Sequence, residues 1–279
     1  MEQLNFPIRS DKLSMTAQVT ARIADRRTEF QRIEVLDTVA FGRLLLLDGH
    51  IQLTELDEHA YHEALVHIPM LSMASPKRAL VVGGGDGGVL RELVKHPSLE
   101  RIDMVEIDAG VIEVSREFLP GLSAGAFDDP RVQVHVADAF PYVKGDVGPY
   151  DLIVLDSTDT YEEEDGGLSE MLFTSNFYQD CLRILAPSGM VVTQADNLVF
   201  CPYSLEEIQK AFAAVFPMVG SYQAIVPSFG GFSGYCWASK GAILSPEWPV
   251  ERAATLPLRY LNAATWAYAQ TGHGFSLPA

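Results

Sequence analysis

The amino-acid sequence predicts an α/β fold, with a doubly wound parallel sheet in residues 56–279 and a small antiparallel β domain in residues 1–55. Two observations predict it. Apolar and polar residues alternate in short runs from Met15 to about Glu55, and turn residues such as Asp48-Gly49 separate the runs. From Asp57 onward the period becomes helical, and apolar strands then alternate with helices, as is typical of βα units around a parallel sheet.

The individual elements follow in chain order. Antiparallel strands are expected in MTAQVTARIADR, EFQRIEVLDTV and GRLLLLDGHIQLTE, and a helix follows from Asp57 to Pro76. Parallel strands are expected in RALVVGG, RIDMVEID, VQVHVAD, DLIVLD and MVVTQAD, with helices at VLRELVKH, AGVIEVSREFL and SNFYQDCLRIL. The helix LEEIQKAFAAVF and the runs YQAIVPSF and GYCWASKG complete the sheet, with an antiparallel pair at its edge.

The charge of the chain restricts its partners. Lys and Arg total 20 and Asp and Glu total 37, so the net charge is −17, and this field repels phosphate backbones and anionic lipid. We therefore expect neither nucleic acid nor a membrane as a partner, whereas a cationic substrate would be attracted. A large negative charge also occurs on proteins that simply resist aggregation, so charge alone does not establish a site.

The cysteines indicate the compartment. Cys181, Cys201 and Cys236 are an odd number at wide spacing, which provides neither a disulfide framework nor a C-x-x-C metal site. This pattern fits a reducing cytoplasm. The N-terminal residues contain no apolar stretch of signal-peptide length, and no window of about 18 apolar residues follows. We expect a soluble cytoplasmic protein without a metal site.

A glycine-rich turn marks the first candidate site. It directly follows the strand ALVV and opens the next helix, and its Gly83, Gly85 and Gly88 fit the G-x-G-x-x-G fingerprint of Rossmann-like dinucleotide sites. Glu106, about 20 residues further on, ends the next strand, where an acidic residue binds ribose. A tight βα turn without a ligand is the alternative, which the strand and helix context disfavours.

Asp86 lies inside this turn, where it would repel a pyrophosphate. A nicotinamide cofactor is therefore disfavoured, and a sulfonium nucleoside that carries an amine is favoured. Glu106 would then accept from the ribose hydroxyls, and Asp138 would accept from the adenine amino group. Asp108 is expected to be a solvated residue at a helix N-terminus.

Two further carboxylates follow the strand YDLIVLD, in the sequence Asp156-Ser157-Thr158-Asp159. No Lys or Arg occurs between Lys144 and Arg183, so this segment supplies no cation to pair with them. Structural carboxylates would cap a helix or pair with Arg, and an external cation explains this pair better. One carboxylate could accept the proton of an amine that attacks a sulfonium-activated carbon, while the other holds the ammonium form.

Together these motifs resemble the polyamine aminopropyltransferases, of which spermidine synthase is typical. The similarity runs through LLLLDGHIQLTELDEHAYHEALVHIPM, VVGGGDGGVLRELVKH, MVEID, DLIVLDSTD, LFTSNFYQDCLRIL and VVTQAD, in the order and approximate spacing of the family. The resemblance implies a methyltransferase-like Rossmann domain that transfers an aminopropyl group from decarboxylated S-adenosylmethionine to a di- or polyamine. It implies release of methylthioadenosine, no cofactor beyond this co-substrate, and assembly as a homodimer or homotetramer.

The resemblance also assigns site residues. Those that match donor-binding positions are Gln31, His62, Asp86, Glu106 and Asp138. Asp156 matches the general base, and the residues that match the acceptor channel are Tyr61, Asp159 and Gln194. For Tyr61 and His62, a partly buried aromatic turn of the first helix is the alternative.

Two departures from the family leave the acceptor open. A longer, acidic segment, residues 160–170, follows Asp159, and it favours either a more highly charged acceptor or a solvated flap. Phe229 stands where many relatives have a tyrosine, so a hydroxyl facing the substrate is missing.

Two other functions compete with the aminopropyltransferase. An N-methyltransferase on the same fold would use ordinary S-adenosylmethionine, whose carboxylate Asp86 would repel. A non-catalytic polyamine-binding protein would have lost turnover, but the residues that turnover requires, Asp86, Asp156, Asp159 and Tyr61, are all present.

Overall fold

A computed structural model of the protein describes residues 2–9, 12–157, 170–272 and 274–275. Asp159 and the acidic residues 162–165 lie outside these ranges. Among the described residues, no helix has both the length and the apolar composition to span a bilayer.

The N-terminal part forms a five-stranded antiparallel sheet in which neighbours in sequence pair with each other. Its strands are β1 (Glu2–Arg9), β2 (Leu13–Arg27), β3 (Arg32–Thr38), β4 (Gly42–Leu47) and β5 (His50–Thr54). Strand β1 was not expected from the sequence. The other four strands coincide with the predicted runs. Apolar and polar residues alternate in β2 and β5, whereas β4 contains four consecutive leucines.

The second sheet has seven strands in the order β11-β12-β10-β9-β6-β7-β8. Their bounds are β6 (Arg78–Gly83), β7 (Arg101–Glu106), β8 (Val132–Val136), β9 (Tyr150–Asp156), β10 (Leu185–Asn197), β11 (Met218–Val226) and β12 (Gly231–Ser239). Strands β10, β9, β6, β7 and β8 are parallel, whereas β12 is antiparallel to both of its neighbours. The predicted α/β class and the antiparallel strands at one edge are confirmed.

The helices cover both faces of this sheet. Their bounds are α1 (Glu58–Ser72), α2 (Gly88–Val94), α3 (Ala109–Phe118), α4 (Pro120–Ser123), α5 (Ala139–Lys144), α6 (Ser175–Ile184), α7 (Pro202–Ala213), α8 (Val250–Ala253) and α9 (Ala263–Ala269). Along β6, Ala79 and Val81 join the core under α1, α2 and α9, while Leu80 and Val82 join the core under α5, α6 and α7. This alternation is the signature of a sheet buried on both faces.

The small sheet packs against helix α3 of the second part. Ile33, Val35 and Leu45 share one buried cluster with Val111 and Val114 of that helix. This contact holds the small sheet over the carboxyl ends of the parallel strands. The separation into domains at residues 55 and 56 remains our proposal.

Candidate active site

A cavity of about 440 Å³ lies between the small sheet and the carboxyl ends of the parallel strands. Open α/β sheets bind their ligands at this edge. Most of the predicted site residues lie on its wall: Gln31, Tyr61, Gly83, Gly85, Asp86, Glu106, Asp138, Asp156 and Gln194. The structure therefore brings together residues that are up to 163 positions apart in the sequence.

The glycine-rich turn approaches strand β9 too closely for a side chain. Gly83 has φ +81°, and a Cβ there would lie 2.1 Å from the carbonyl oxygen of Asp156. The amide of Gly84 donates a hydrogen bond of 2.9 Å to the same oxygen. A Cβ at Gly88 would lie 2.3 Å from the ring of His62. Close packing, as well as ligand access, therefore requires these glycines.

His62 lies behind Asp86 and is only 1% exposed. Its Nδ1 is 2.8 Å from Glu58 Oε2, and its Nε2 is 3.4 Å from Asp86 Oδ1. Burial opposes the charged imidazole, but Asp86 and Glu58 outweigh it and raise the pKa of His62 to about 10. Burial also opposes ionisation of Asp86, yet His62 and the amide of Gly88 keep its pKa below the ordinary value. His62 thus faces Asp86 and does not belong to the described cavity wall.

Asp156 ends strand β9 and faces the cavity. The hydroxyl of Tyr61 donates to its Oδ1 at 2.6 Å, whereas its Oδ2 is buried without a hydrogen-bond partner among the described residues. Burial and the nearby charge of Asp86 raise the pKa of Asp156 to about 6, against the opposing effects of His62 and Tyr61. Asp156 is therefore ionised at neutral pH and retains an oxygen that can receive a proton.

Glu106 ends strand β7, and Asp138 lies two residues after the end of the neighbouring strand β8, on the other side of the turn. Glu106 Oε2 accepts from the amide of Gly85 at 3.1 Å, and its Oε1 accepts from the amide of Asp108 at 2.9 Å. Burial raises the pKa of Glu106 to about 7. Asp138 caps helix α5, with its side chain accepting from the amide of Phe140 at 2.8 Å. Each carboxylate retains further lone pairs for a ligand.

The expectation of a solvated Asp108 is wrong. It caps helix α3 as expected, but it is 2% exposed. Its Oδ2 accepts from the amide nitrogen of Gln31 at 2.9 Å and from the hydroxyl of Thr28 at 2.8 Å. Asp108 is buried because the small sheet covers it, a long-range contact that the local sequence does not reveal. It fixes the side chain of Gln31 at the cavity wall.

The wall beyond Asp156 contains Gln194 and Phe229. Gln194 donates to the carbonyl of Ser157 at 3.3 Å and accepts from the amide of Asp196 at 2.8 Å. The ring of Phe229 lies 5.6 Å from that of Tyr61, at an angle of 80°. Phe229 therefore does face the cavity, without a hydroxyl.

Sequence reasoning missed several wall residues. The small sheet contributes apolar side chains, namely Ile8, Phe30, Leu45, Leu47 and Ile51. Asp196 also lines the wall, with φ +57°, a conformation uncommon for a residue other than glycine. The four consecutive leucines of β4 indicated a strand buried on both faces, but they did not tell which face would line a cavity against the second part.

One cluster has the composition of a metal site. One atom each of His62, Asp86 and Asp156 lie within 4.8 Å of one another. An imidazole must be neutral to bind a metal, and His62 is paired with carboxylates that favour its charged form. The described carboxylates therefore suit an ammonium group better than a metal ion.

The fold and the cavity define the class of the protein, a Rossmann-like α/β protein with an added N-terminal sheet and an acidic ligand site. Residues 58–245 match the family model of the spermine/spermidine synthase domain, and residues 6–55 match that of the spermidine synthase tetramerisation domain. The chain belongs to the spermine/spermidine synthase family and is an aminopropyltransferase.

Individual relatives agree with this assignment. The polyamine aminopropyltransferase of Bacillus subtilis (strain 168) is 40% identical over 215 residues, which are 77% of this chain and 76% of that protein. That of Sodalis glossinidius (strain morsitans) is 40% identical over 240 residues, covering 84% and 82% of the two chains. The expected family and fold are thereby confirmed.

Solved structures show the same similarity. A spermidine synthase in complex with the transition state analogue AdoDATO superposes with a TM-score of 0.89 at 30% identity, covering 97% of this chain and 92% of that one. The spermidine synthase of Thermotoga maritima gives a TM-score of 0.87 at 30% identity, covering 100% and 92%.

Proposed function

We propose that the enzyme transfers the aminopropyl group of decarboxylated S-adenosylmethionine to a di- or polyamine and releases methylthioadenosine. The observation that carries this proposal is the buried Oδ2 of Asp156, beside Asp86 in the cavity, which has no hydrogen-bond partner in the part of the chain that the structure describes. A buried anionic oxygen without a donor is costly unless a ligand supplies one. An amine supplies both the hydrogen-bond donor and the positive charge.

The donor would lie along the carboxyl ends of β6, β7 and β8. Glu106 accepts from the ribose hydroxyls, Asp138 accepts from the adenine amino group, and Gln31 contributes from the small sheet. Asp86 binds the donor ammonium at the opposite end. This order of contacts follows the order of the strands and places the sulfonium between Asp86 and Glu106.

The acceptor amine would lie between Tyr61, Gln194 and Asp156. It enters as an ammonium and gives one proton to Asp156. Its lone pair then attacks the donor carbon next to the sulfonium, a new C–N bond forms, and the C–S bond breaks. The electron pair of that bond stays on sulfur, so methylthioadenosine leaves as a neutral thioether and the product nitrogen is a secondary ammonium. Tyr61 holds the carboxylate of Asp156 in position through the hydrogen bond of 2.6 Å.

The charge of Asp86 distinguishes this reaction from methyl transfer. Ordinary S-adenosylmethionine would place a carboxylate next to Asp86, and like charges at short range cost free energy. The test is to incubate the enzyme with decarboxylated donor and separately with putrescine, cadaverine, agmatine, norspermidine and spermidine. Mass spectrometry of the product then identifies an aminopropyl or a methyl addition. Amine binding without release of methylthioadenosine would refute catalysis.

We propose that the enzyme assembles as a homodimer or homotetramer in the cytoplasm. The match of residues 6–55 to a tetramerisation domain supports the assembly. The three cysteines are buried and form no disulfide, which supports a reducing compartment. Light scattering coupled to gel filtration measures the assembly, and a monomer at micromolar concentration would contradict it.

A further inference from the structure

A chain of buried charges runs from the cavity into the interior. Asp86 meets His62, His62 meets Glu58, and both oxygens of Glu58 accept from Arg91, at 3.0 and 2.7 Å. The side chains of Glu58 and Arg91 are 7% and 13% exposed. Neither residue was singled out from the sequence. The proposed function uses Asp86 but leaves the purpose of the residues behind it open.

The geometry around His62 fixes its protonation state. A neutral imidazole has one N–H and can donate to only one carboxylate, while its other nitrogen would present a lone pair to the second. His62 has a carboxylate oxygen on each side, Glu58 at 2.8 Å and Asp86 at 3.4 Å. When both carboxylates are ionised, only the doubly protonated ring can donate to both. The pKa of His62, about 10, agrees with this geometry.

The site needs this cation because two carboxylates lie together. Oxygens of Asp86 and Asp156 are within 4.8 Å of each other and of the His62 ring. Two carboxylates at such a distance tend to share one proton unless a cation is near. A shared proton would disable either the group that binds the donor ammonium or the base.

We propose that Glu58 is a positioning residue: anchored by Arg91, it holds His62 as an imidazolium, and this cation keeps Asp86 and Asp156 ionised side by side. The inference rests on the proposed function, for which both carboxylates must be charged. The charged groups around His62 are Glu58 on its own helix, Asp86 in the glycine turn, Asp156 at the end of β9 and, behind Glu58, Arg91 and Arg259.

The variant Glu58→Gln tests the proposal in the pH profile. Burial is the largest single influence on the pKa of His62 and lowers it, so without the anion of Glu58 we expect this pKa to fall below 6.5 and the ring to be neutral where Asp156 titrates. Asp156 then retains its own proton to higher pH. We expect kcat/KM at pH 6.5 to fall about tenfold relative to the wild type and to recover above pH 8.5, because one pKa unit is a tenfold change. Glu58→Asp, which retains the charge, should restore most of the wild-type profile.

Glu92→Gln is a matched control. Glu92 is 1% exposed and also binds Arg91, at 2.7 Å, but its imidazole partner is His67, at 2.7 Å, and not His62. The control should lower the thermal stability without moving the pH profile. Equal shifts of the profile in Glu58→Gln and Glu92→Gln, or no shift in Glu58→Gln, would overturn the proposal.

A second measurement is made on the wild-type protein and does not depend on turnover. The ¹⁵N resonances of His62 in the wild type, assigned by their loss in His62→Gln, report the protonation of both ring nitrogens. We expect both to be protonated at pH 7.5. A neutral ring at that pH overturns this inference, whereas a folded enzyme that releases no methylthioadenosine refutes the proposed function.

Discussion

Replacement of Asp156 by Asn separates chemistry from binding. Asn retains an oxygen that can accept from Tyr61, so the contact of 2.6 Å and the shape of the site can persist. The change removes the charge and the ability to receive a proton. Loss of a general base typically lowers turnover by about 10² to 10⁴, and we expect a decrease of kcat in this range. Donor affinity should hardly change, because the group that we propose for binding the donor ammonium is Asp86 and not Asp156.

The same variant should be more stable than the wild type at alkaline pH. The folded protein raises the pKa of Asp156 from 3.8 to about 6, so the folded state binds the proton more tightly than the unfolded state does. The ionised carboxylate therefore costs stability in full above about pH 6 and nothing below about pH 4, and the cost is of the order of 3 kcal/mol. At pH 8 Asp156→Asn should melt several degrees higher than the wild type, and at pH 4 the difference should vanish.

Three measurements on Asp156→Asn and the wild type check these expectations. The rate of methylthioadenosine release at saturating donor gives kcat, and calorimetry with methylthioadenosine gives the nucleoside affinity. Thermal unfolding at pH 4 and pH 8 gives the stability. Asp128→Asn is the control, because Asp128 is an exposed aspartate with a surface ion pair to Arg116. Its kcat and melting temperature should stay close to those of the wild type. Wild-type turnover in Asp156→Asn would refute the assignment of Asp156 as the base. If this variant melted at a lower temperature than the wild type at pH 8, the conclusion that the ionised carboxylate destabilises the folded protein would be wrong.

Three further variants or conditions probe the rest of the site. Asp86→Asn should lower the affinity for the decarboxylated donor roughly 10- to 100-fold and reduce discrimination against ordinary S-adenosylmethionine, since a charged hydrogen bond is lost. Unchanged discrimination in competition calorimetry would favour a methyltransferase. The pKa of Glu106 is about 7, so donor affinity should fall by up to about tenfold per pH unit below pH 7 and stay level above it, whereas Glu106→Gln should bind weakly at every pH. Phe229→Tyr restores a hydroxyl at the wall, and we expect roughly a 2- to 10-fold change in the acceptor KM with the donor KM unchanged; equal changes in both would show that this ring contacts no acceptor.

The parallel sheet could be predicted from the sequence because its strands are buried on both faces and therefore contain continuous apolar runs. Strand β1 could not, since its sequence EQLNFPIR is largely exposed or half-buried and contains a proline. Helix α5 has only six residues, too few for a period to show. Helix α1 ends at Ser72, four residues before Pro76, because the chain turns extended at Met73.

The candidate site was predictable where it follows one rule, that a side chain after a buried parallel strand reaches the ligand edge. This rule places Asp86, Glu106, Asp138 and Asp156. It does not apply to Glu58, whose proposed role depends on its contacts with Arg91 of helix α2 and with His62. Contacts between separate elements are set by the tertiary fold, and a single sequence does not display them.

The hydrogen bond from the amide of Gly84 to the carbonyl of Asp156 has a mechanical consequence. It fastens the turn that carries Asp86 to the strand that carries Asp156, and the absent side chain of Gly83 lets the two backbones touch. The two carboxylates that we propose for donor binding and for proton transfer are thus held by one rigid piece of backbone. A movement of the small sheet relative to helix α3 would therefore change the rates of ligand binding and release. The distance between the attacking amine and the donor carbon would stay the same.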